Sequence, residues 1–514
     1  MIDITSTPII IIILLGSVGL GIPIIDAIQK EKGKRKNKLY SLITLATLVI
    51  AILVVISRVL AGEPIPAMSF SNDVIADDVF GSFFAISLLI VSIMVSASSW
   101  NYMKGISNYS SYYSLILLST IGMVLIAYST DFVMLFIAWE LMSIPTYALA
   151  AFSKKDPISN EAAIKYFMFG ALSTSIIVIA IGFVYAITGT TNIGESIAKL
   201  AEISGMPQNQ NTIGGFIPIS YLAIGLFVAG FGFKMGLVPF HMWLPDTYEG
   251  APSTIGALLA AGTKKAGFAA AIKVIVFGMF ALGLEWSIVL AILAVITMTV
   301  GNLGALLQKS VPRIMAYSSM AQAGYIMIGL ALAPYASNAL DGSLFHILNH
   351  AVMKSASFLA IAAVAVALAS YSLEKYTGLA KRMPITAIAL SISLLALAGV
   401  PPLNGFWSKL VIFQSAIDSG IVIPWGPYLA IAGLLNSALS LGYYLWIIKK
   451  MYLDDSSDMS RVKEPKAIVG VLIFAIIFMV GFGIWHAPLL EFASMSIPPD
   501  IEQFIPSIGN NITR

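Results

Sequence analysis

About fourteen stretches of apolar sequence, each roughly 18 to 28 residues long, restrict what this chain can fold into more than any other feature. A helix rises 1.5 Å per residue, so runs of that length cross a hydrocarbon core about 30 Å thick. Strands would need about 10 residues and would alternate in polarity, which these runs do not, so a β-barrel is excluded. Composition agrees: of 514 residues, 58% are hydrophobic and 11% charged, against about 25% charged in soluble domains. The surplus apolar surface has to face lipid, and the expected fold is an all-α polytopic membrane protein.

Breaks set by Pro, Gly and charge clusters place the spans near residues 8–28, 39–60, 80–100, 112–129, 132–152, 162–188, 217–240, 252–280, 286–308, 313–334, 343–370, 385–416, 427–449 and 467–487. The first is too long, and too weakly basic at its start, to read as a cleaved signal peptide, so it is expected to remain as a helix. An even number of crossings puts both termini on one side. Lys30, Lys32, Lys34, Arg35, Lys36, Lys38, Lys104, Lys154, Lys155, Lys309, Arg313, Lys375, Lys381, Arg382, Lys449, Lys450, Arg461, Lys463 and Lys466 fall on one face, whereas the other holds Arg58, Lys199 and Arg514. Basic loops stay cytoplasmic, so these Lys/Arg-rich loops are expected inside and both termini outside a cell or inner organelle membrane. The outer segments 61–79, 189–215 and 488–514 carry no recognisable chemistry, apart from a short amphipathic surface helix expected over 194–203.

Several chemistries are excluded. The chain has no cysteine, hence no disulfide, thiolate ligand or cluster-binding motif. His346 and His350 are one helical turn apart, yet no carboxylate within a further turn completes a metal site. No dinucleotide fingerprint or Walker loop follows a strand. No cofactor, metal or nucleic acid is therefore expected, and any redox chemistry belongs to partners.

What remains is an accumulation of charge inside the spans. Lys165, Lys234, Lys264, Lys265, Lys273, Lys354 and Lys409 fall within them, with one acid, Glu140, well inside the fifth. Each such group costs roughly 2.5 to 3.5 kcal/mol at mid-bilayer, so a chain does not collect several without a use for them. Lys165 and Lys273 lie near span ends, where snorkelling or structural pairing is an equal reading. Lys234, Lys264 and Lys409 lie too deep or beside a break for that. A lysine suits a proton relay because burial disfavours its charge and an approaching carboxylate restores it; Glu140 is the natural partner in the first part of the chain.

Helix breakers stand beside two of these lysines, in Lys234-Met-Gly236-Leu-Val-Pro239-Phe-His241 and in Gly399-Val-Pro401-Pro402-Leu-Asn-Gly405-Phe-Trp-Ser-Lys409. Proline removes a backbone bond and clashes with the preceding turn. An interrupted helix survives in a membrane only where it is buried or lines a wet cavity. The broken spans are the seventh and twelfth, an odd offset that reverses direction, so two inverted five-helix repeats are expected. The corresponding division is 1–111 (spans 1–3), 112–280 (spans 4–8), 281–450 (spans 9–13) and 451–514 (span 14 and tail).

At these residues the chain resembles the antiporter-like subunits of complex I, of membrane-bound hydrogenases and of Mrp cation/proton antiporters. Glu161-Ala-Ala-Ile-Lys165-Tyr-Phe-Met-Phe-Gly170, Pro239-Phe-His-Met-Trp243-Leu-Pro-Asp246-Thr-Tyr-Glu249-Gly-Ala-Pro252, Lys264-Lys-Ala-Gly-Phe-Ala269 and Met315-Ala-Tyr-Ser-Ser-Met-Ala-Gln-Ala-Gly-Tyr325 are similar to complex I subunit N. His346-Ile-Leu-Asn-His350-Ala-Val-Met-Lys354 looks more like the L, M and Mrp branches. The likeness runs from about residue 110 to 450, and the chain ends too soon after span fourteen for the lateral helix of the largest complex I pump subunit.

The resemblance implies a proton path in which Glu140 and Lys234 form a charged pair, Lys264 relays towards the centre, and Lys409 connects to the outer side. His350 and Lys354 would belong to a hydrated central axis, with Lys265, Lys165, His241 and His346 as additional candidates. Lys265 is a departure: neighbours on a helix point about 100° apart, so one of Lys264 and Lys265 is expected on the axis, and Lys264 matches the family lysine. A partner's redox event would change the Glu140–Lys234 separation. A coupling of about 1 to 3 kcal/mol, equal to about 1 to 2 pKa units, is enough to switch proton occupancy. The implied partners are other membrane subunits, including homologous antiporter-like ones, and lipid. The ion is expected to be H+ rather than Na+, because sodium prefers clustered oxygen ligands. An Mrp-type Na+/H+ antiporter subunit and a stand-alone solute transporter are the alternatives.

Overall fold

The computed structural model describes residues 6–28, 34–61, 65–70, 73–103, 108–205, 216–278, 285–336, 338–454 and 460–498. Lys30, Lys32, Lys104 and Arg514, part of the charge pattern above, lie outside them, as do both chain ends. Among the described residues the protein is nearly all helix, its only β pairing being isolated bridges such as Ile75–Ser129.

Among the described residues, twelve helices are long and apolar enough to cross a membrane. In chain order the elements are α1 Thr7–Ile28, α2 Lys34–Leu60, α3 Val79–Tyr102, α4 Tyr109–Tyr128, α5 Phe132–Ala150, α6 Pro157–Thr188, and a surface helix α7 Ile193–Gly205. The first interrupted helix is α8, Phe216–Met235, followed by a short α9, Leu244–Gly250. A continuous α10, Ser253–Val276, then leads to α11 Glu285–Leu306, α12 Val311–Leu332 and α13 Ala339–Leu368. The second interruption separates α14, Pro384–Ala398, from α15, Asn404–Asp418; α16 Gly426–Tyr452, α17 Lys466–Ile484 and α18 Ala487–Met495 follow. The shorter apolar stretches Ile219–Met235 and Pro384–Ala398 occupy the places of the expected seventh and twelfth spans.

Local chemistry sets several boundaries. Helix α6 starts five residues earlier than the apolar run suggests, because the Asp156 carboxylate caps the Ile158 N–H at 3.0 Å and Pro157 takes the first helical position. Asp131 caps α5 in the same way, accepting from Val133 and Met134.

Burial sorts the helices into two shells. Helix α10 is buried along its whole length, and α3, α4, α12 and α13 nearly so, whereas α1, α6, α16 and α17 leave most of their residues outward. Outward positions carry Ile, Leu, Phe and Met, such as Ile144, Ile164, Phe167 and Met168 of the α5–α6 face, as lipid-facing or subunit-facing surface requires. Helix α13 lies at the centre, packed on α3, α12, α14, α15 and α17.

Candidate buried polar path

Both interrupted helices end in the same backbone device. At the first, Gly236 has φ +71°, with the Leu237 N–H bonded to the Gly232 carbonyl at 2.9 Å and the Gly236 N–H to Phe233 at 3.1 Å. At the second, Gly399 has φ +86°, with Val400 bonded to Leu395 and Gly399 to Ala396, each at 3.0 Å. These are left-handed glycine caps, in which the stop satisfies some of the carbonyls it frees. Each also brings bare backbone against a lysine. A Cβ on Gly236 would sit 3.0 Å from Lys264 Nζ, and one on Gly399 would sit 3.1 Å from Lys409 Cδ.

Lys234, in the last turn of α8, is buried and donates to Tyr166 OH at 2.8 Å and Ser143 Oγ at 3.0 Å. The expected partner is not in direct contact: among the described residues Glu140 and Lys234 make no ion pair within 4.0 Å. Glu140 sits on the half-buried side of α5 and accepts from Thr174 Oγ1 of α6 at 2.7 Å, while Ser143, one turn further along α5, reaches the ammonium instead. The carboxylate acts on Lys234 only through space.

Lys264 and Lys265 are both buried on α10. Lys264 donates to the Ser319 carbonyl of α12 at 3.0 Å. Lys265 lies in a short hydrogen bond with Nδ1 of His350 on α13, so the lysine expected to leave the axis touches one of its candidate members. Lys354, one turn beyond His350, donates to the Met315 carbonyl at 3.1 Å and Ser318 Oγ at 2.8 Å. Helix α12 thus offers neutral oxygens to two lysines from different helices.

From His350 the polar line continues to His346, whose ring stacks at 6.0 Å. His346 contacts Gln322 Oε1 at 3.0 Å and Ser408 Oγ at 2.8 Å. Gln322 donates to the Leu397 carbonyl at the end of α14, and Ser318 meets Tyr444 OH at 2.5 Å. Lys409, next to Ser408, donates to the freed Ala398 carbonyl at 3.3 Å and to Ser437 Oγ at 3.1 Å, with its ammonium 4.3 Å from the Tyr325 ring centre. His350 Nε2, Ser319 Oγ and Tyr325 OH along this line are buried without protein partners, the condition that ordered water satisfies.

Two candidates lie off the line. Lys165 is partly exposed and bridges Glu161 and Asp246 at 2.7 and 2.6 Å. His241 remains half-buried in the first break, its Nδ1 unpartnered. Lys273 is held structurally: it donates to the Ala127 and Ser129 carbonyls and lies 3.9 Å from the buried Asp78 carboxylate. Asp78, in a segment the sequence left without chemistry, also caps α3 through Gly81. Sequence reasoning missed Tyr166, Ser143, Gln322, Ser408 and Tyr444 as well; one available signal was that Tyr166 and Ser408 adjoin Lys165 and Lys409 in sequence and that Ser143 lies one helical turn from Glu140.

A bundle of membrane helices with two glycine-capped interruptions and a buried lysine–histidine line between them defines the class of antiporter-like membrane subunits. The chain belongs to the NADH:quinone oxidoreductase/Mrp antiporter transmembrane family, which it matches over residues 129–437. It is 40% identical over 471 residues to F(420)H(2) dehydrogenase subunit N of Methanosarcina mazei, covering 89% of this chain and 92% of that protein. It is 37% identical to NADH-quinone oxidoreductase subunit N of Desulfitobacterium hafniense, covering 83% and 86%. Among solved structures, a chain of the archaeal membrane-bound sulfane sulfur reductase superposes with TM-score 0.82 at 26% identity, covering 97% of this chain and 99% of that one. A chain of Thermus thermophilus respiratory complex I gives 0.75 at 25%, covering 94% and 99%. A chain of the Dietzia Mrp complex shares the fold, with TM-score 0.78 at 20% identity and coverage of 97% and 99%.

Proposed function

We propose that this chain is the proton-translocating, antiporter-like subunit of a multisubunit membrane redox complex. The observation that carries the reading is the buried line from Lys234 past Lys264 and Lys265 through His350, His346 and Ser408 to Lys409, which joins the two interrupted helices. Relatives named as subunit N of two dehydrogenases support a redox complex, with further membrane subunits, homologous antiporter-like ones among them, as partners. Redox events there would alter the field of Glu140 on Lys234, and charge would then move along the line. The likeness to an Mrp chain, at an identity that speaks for fold alone, keeps a subunit of a Na+/H+ antiporter as the second reading.

This reading includes fourteen crossings, the broken α8 and α14–α15 being the seventh and twelfth, and two inverted repeats over 112–280 and 281–450. Both termini are placed outside and the basic loops in the cytoplasm. The test is proton uptake by proteoliposomes holding the intact complex with Lys234→Ala, scored beside redox turnover and assembly. Lost pumping in an assembled complex supports the relay; undiminished pumping overturns it.

A further inference from the structure

The ion pairs at the rim that carries Lys154, Lys155 and Lys309 have a geometry that isolated surface pairs lack. One carboxylate, Asp246 of α9, bridges two cations from different helices: Lys165 Nζ of α6 at 2.6 Å and Arg313 Nη1 of α12 at 2.7 Å. Arg313 also binds Glu249 at 3.1 Å, and its Nε donates to Gln308 at 3.1 Å; Lys165 also binds Glu161. Each end of this chain adjoins a group that holds a buried lysine. Lys165 precedes Tyr166, the acceptor for Lys234. Arg313 lies in the first turn of α12, whose Met315 and Ser319 carbonyls receive Lys354 and Lys264.

A second connection runs through the break. Trp243, three residues before Asp246, stacks on the Tyr166 ring at 4.6 Å and 16°. Its indole N–H bonds the Phe233 carbonyl at 3.1 Å, one residue from Lys234. Asp246 is thus linked to Tyr166 by two routes, its ion pair with the neighbouring Lys165 and the short α9 segment that carries the stacked indole.

We propose that Glu161, Lys165, Asp246, Arg313 and Glu249 form a clamp that positions Tyr166 against Lys234 and ties the first interrupted helix to α12. These are positioning residues, and their role rests on the lysine path proposed above. An isolated exposed pair contributes little and would not do this; a carboxylate shared between two helices fixes their relative placement, and the hydrogen bond at Tyr166 depends on that placement.

The test measures protons moved per electron by the intact complex in proteoliposomes, beside redox rate and assembly, for Arg313→Gln, Arg313→Lys and Asp246→Asn, with Lys234→Ala as reference. The clamp predicts that Arg313→Gln lowers the proton-to-electron ratio roughly 2- to 30-fold, the span of mutations along a coupled network, and that Arg313→Lys restores most of it. A purely structural role would lower pumping and redox turnover together and overturns the clamp. If Arg313→Gln does not assemble, Asp246→Asn, which keeps an acceptor between the two cations, gives the same reading: a lowered ratio supports the clamp and a parental ratio overturns it. A parental ratio in the clamp variants with Lys234→Ala inactive removes the clamp alone; a parental ratio in Lys234→Ala removes the underlying path.

Discussion

The ammonium of Lys234 is held by the phenol of Tyr166, at 2.8 Å, and not by a carboxylate. Two consequences differ from those of a salt bridge. The phenol accepts without fixing a countercharge, and it reaches Lys234 only while its ring is packed between Trp243 and Tyr147.

Tyr166→Phe keeps that packing and removes the acceptor. A hydrogen bond to a charged group is worth about 1.5 to 3 kcal/mol, so pumping by the reconstituted complex is expected to fall about tenfold or more while assembly is preserved. Parental pumping by Tyr166→Phe would mean that Ser143 alone suffices to hold the amine.

Gly236→Ala and Gly399→Ala force an L side chain into left-handed backbone, at a cost of roughly 1 to 2 kcal/mol each, and add a methyl beside Lys264 or Lys409. Both are expected to lower the thermal midpoint of the purified complex. Gly182→Ala, on open helix surface with nothing near its Cβ, is the control and is expected to leave the midpoint unchanged or slightly raised.

Lys273→Met leaves Asp78 buried with a charge that has lost its neighbour, a change that costs about 3 to 5 kcal/mol in buried pairs. Poor assembly is expected, and Asp78→Asn in the same chain should recover part of it, since the asparagine carries no charge and its amide oxygen still accepts one of the two N–H groups, Gly81 or Ser69, that the carboxylate binds. Quantifying assembled complex in membranes checks this; no recovery in the double variant would show that Lys273 serves its two carbonyls and not the acid.

Asp246 supplies the pH prediction. Partial burial opposes its charge, but hydrogen bonds and attraction from Lys165 and Arg313 outweigh it and hold the carboxyl below its usual range. A depressed folded value means that its contribution is fully present above the unfolded value, about 3.9, and is lost as pH falls through the lower folded value. The stability difference between the parent and Asp246→Asn should therefore stay constant from pH 9 to about 5.5 and shrink only below about pH 4. A difference that decays near neutrality would contradict the two-cation geometry.

The sequence displayed the helices and the places where they break, because apolar run length and proline position act locally and need no knowledge of neighbours. It displayed Lys234, Lys264 and Lys409 for the same reason: a cation deep in an apolar run is anomalous on its own. Gln322, Ser408 and Tyr444 were not legible, since a hydroxyl or amide on a buried membrane helix reads equally as interhelical glue. Only the packing of α12, α13, α15 and α16 aligns them. Asp78 was hidden differently, by standing just before a span where a carboxylate looks like an ordinary boundary residue. That Ser143 and Tyr166, and not Glu140, touch the Lys234 amine was not legible either, because family position fixes which residues are near each other, but not which hydroxyl intervenes.

Among the described residues, Lys264, Lys265, Lys354 and Lys409 are met by carbonyls, hydroxyls and an imidazole, and no carboxylate lies within 4.0 Å of any of them. Such ligands hold an ammonium or a neutral amine with the same atoms, so every proton that arrives adds a full unit of charge to the bundle interior. The central line then behaves like a row of capacitor plates sharing one dielectric: occupation of one plate raises the work of charging the next. On the proposed proton path, successive charges would therefore be kept apart by their own field.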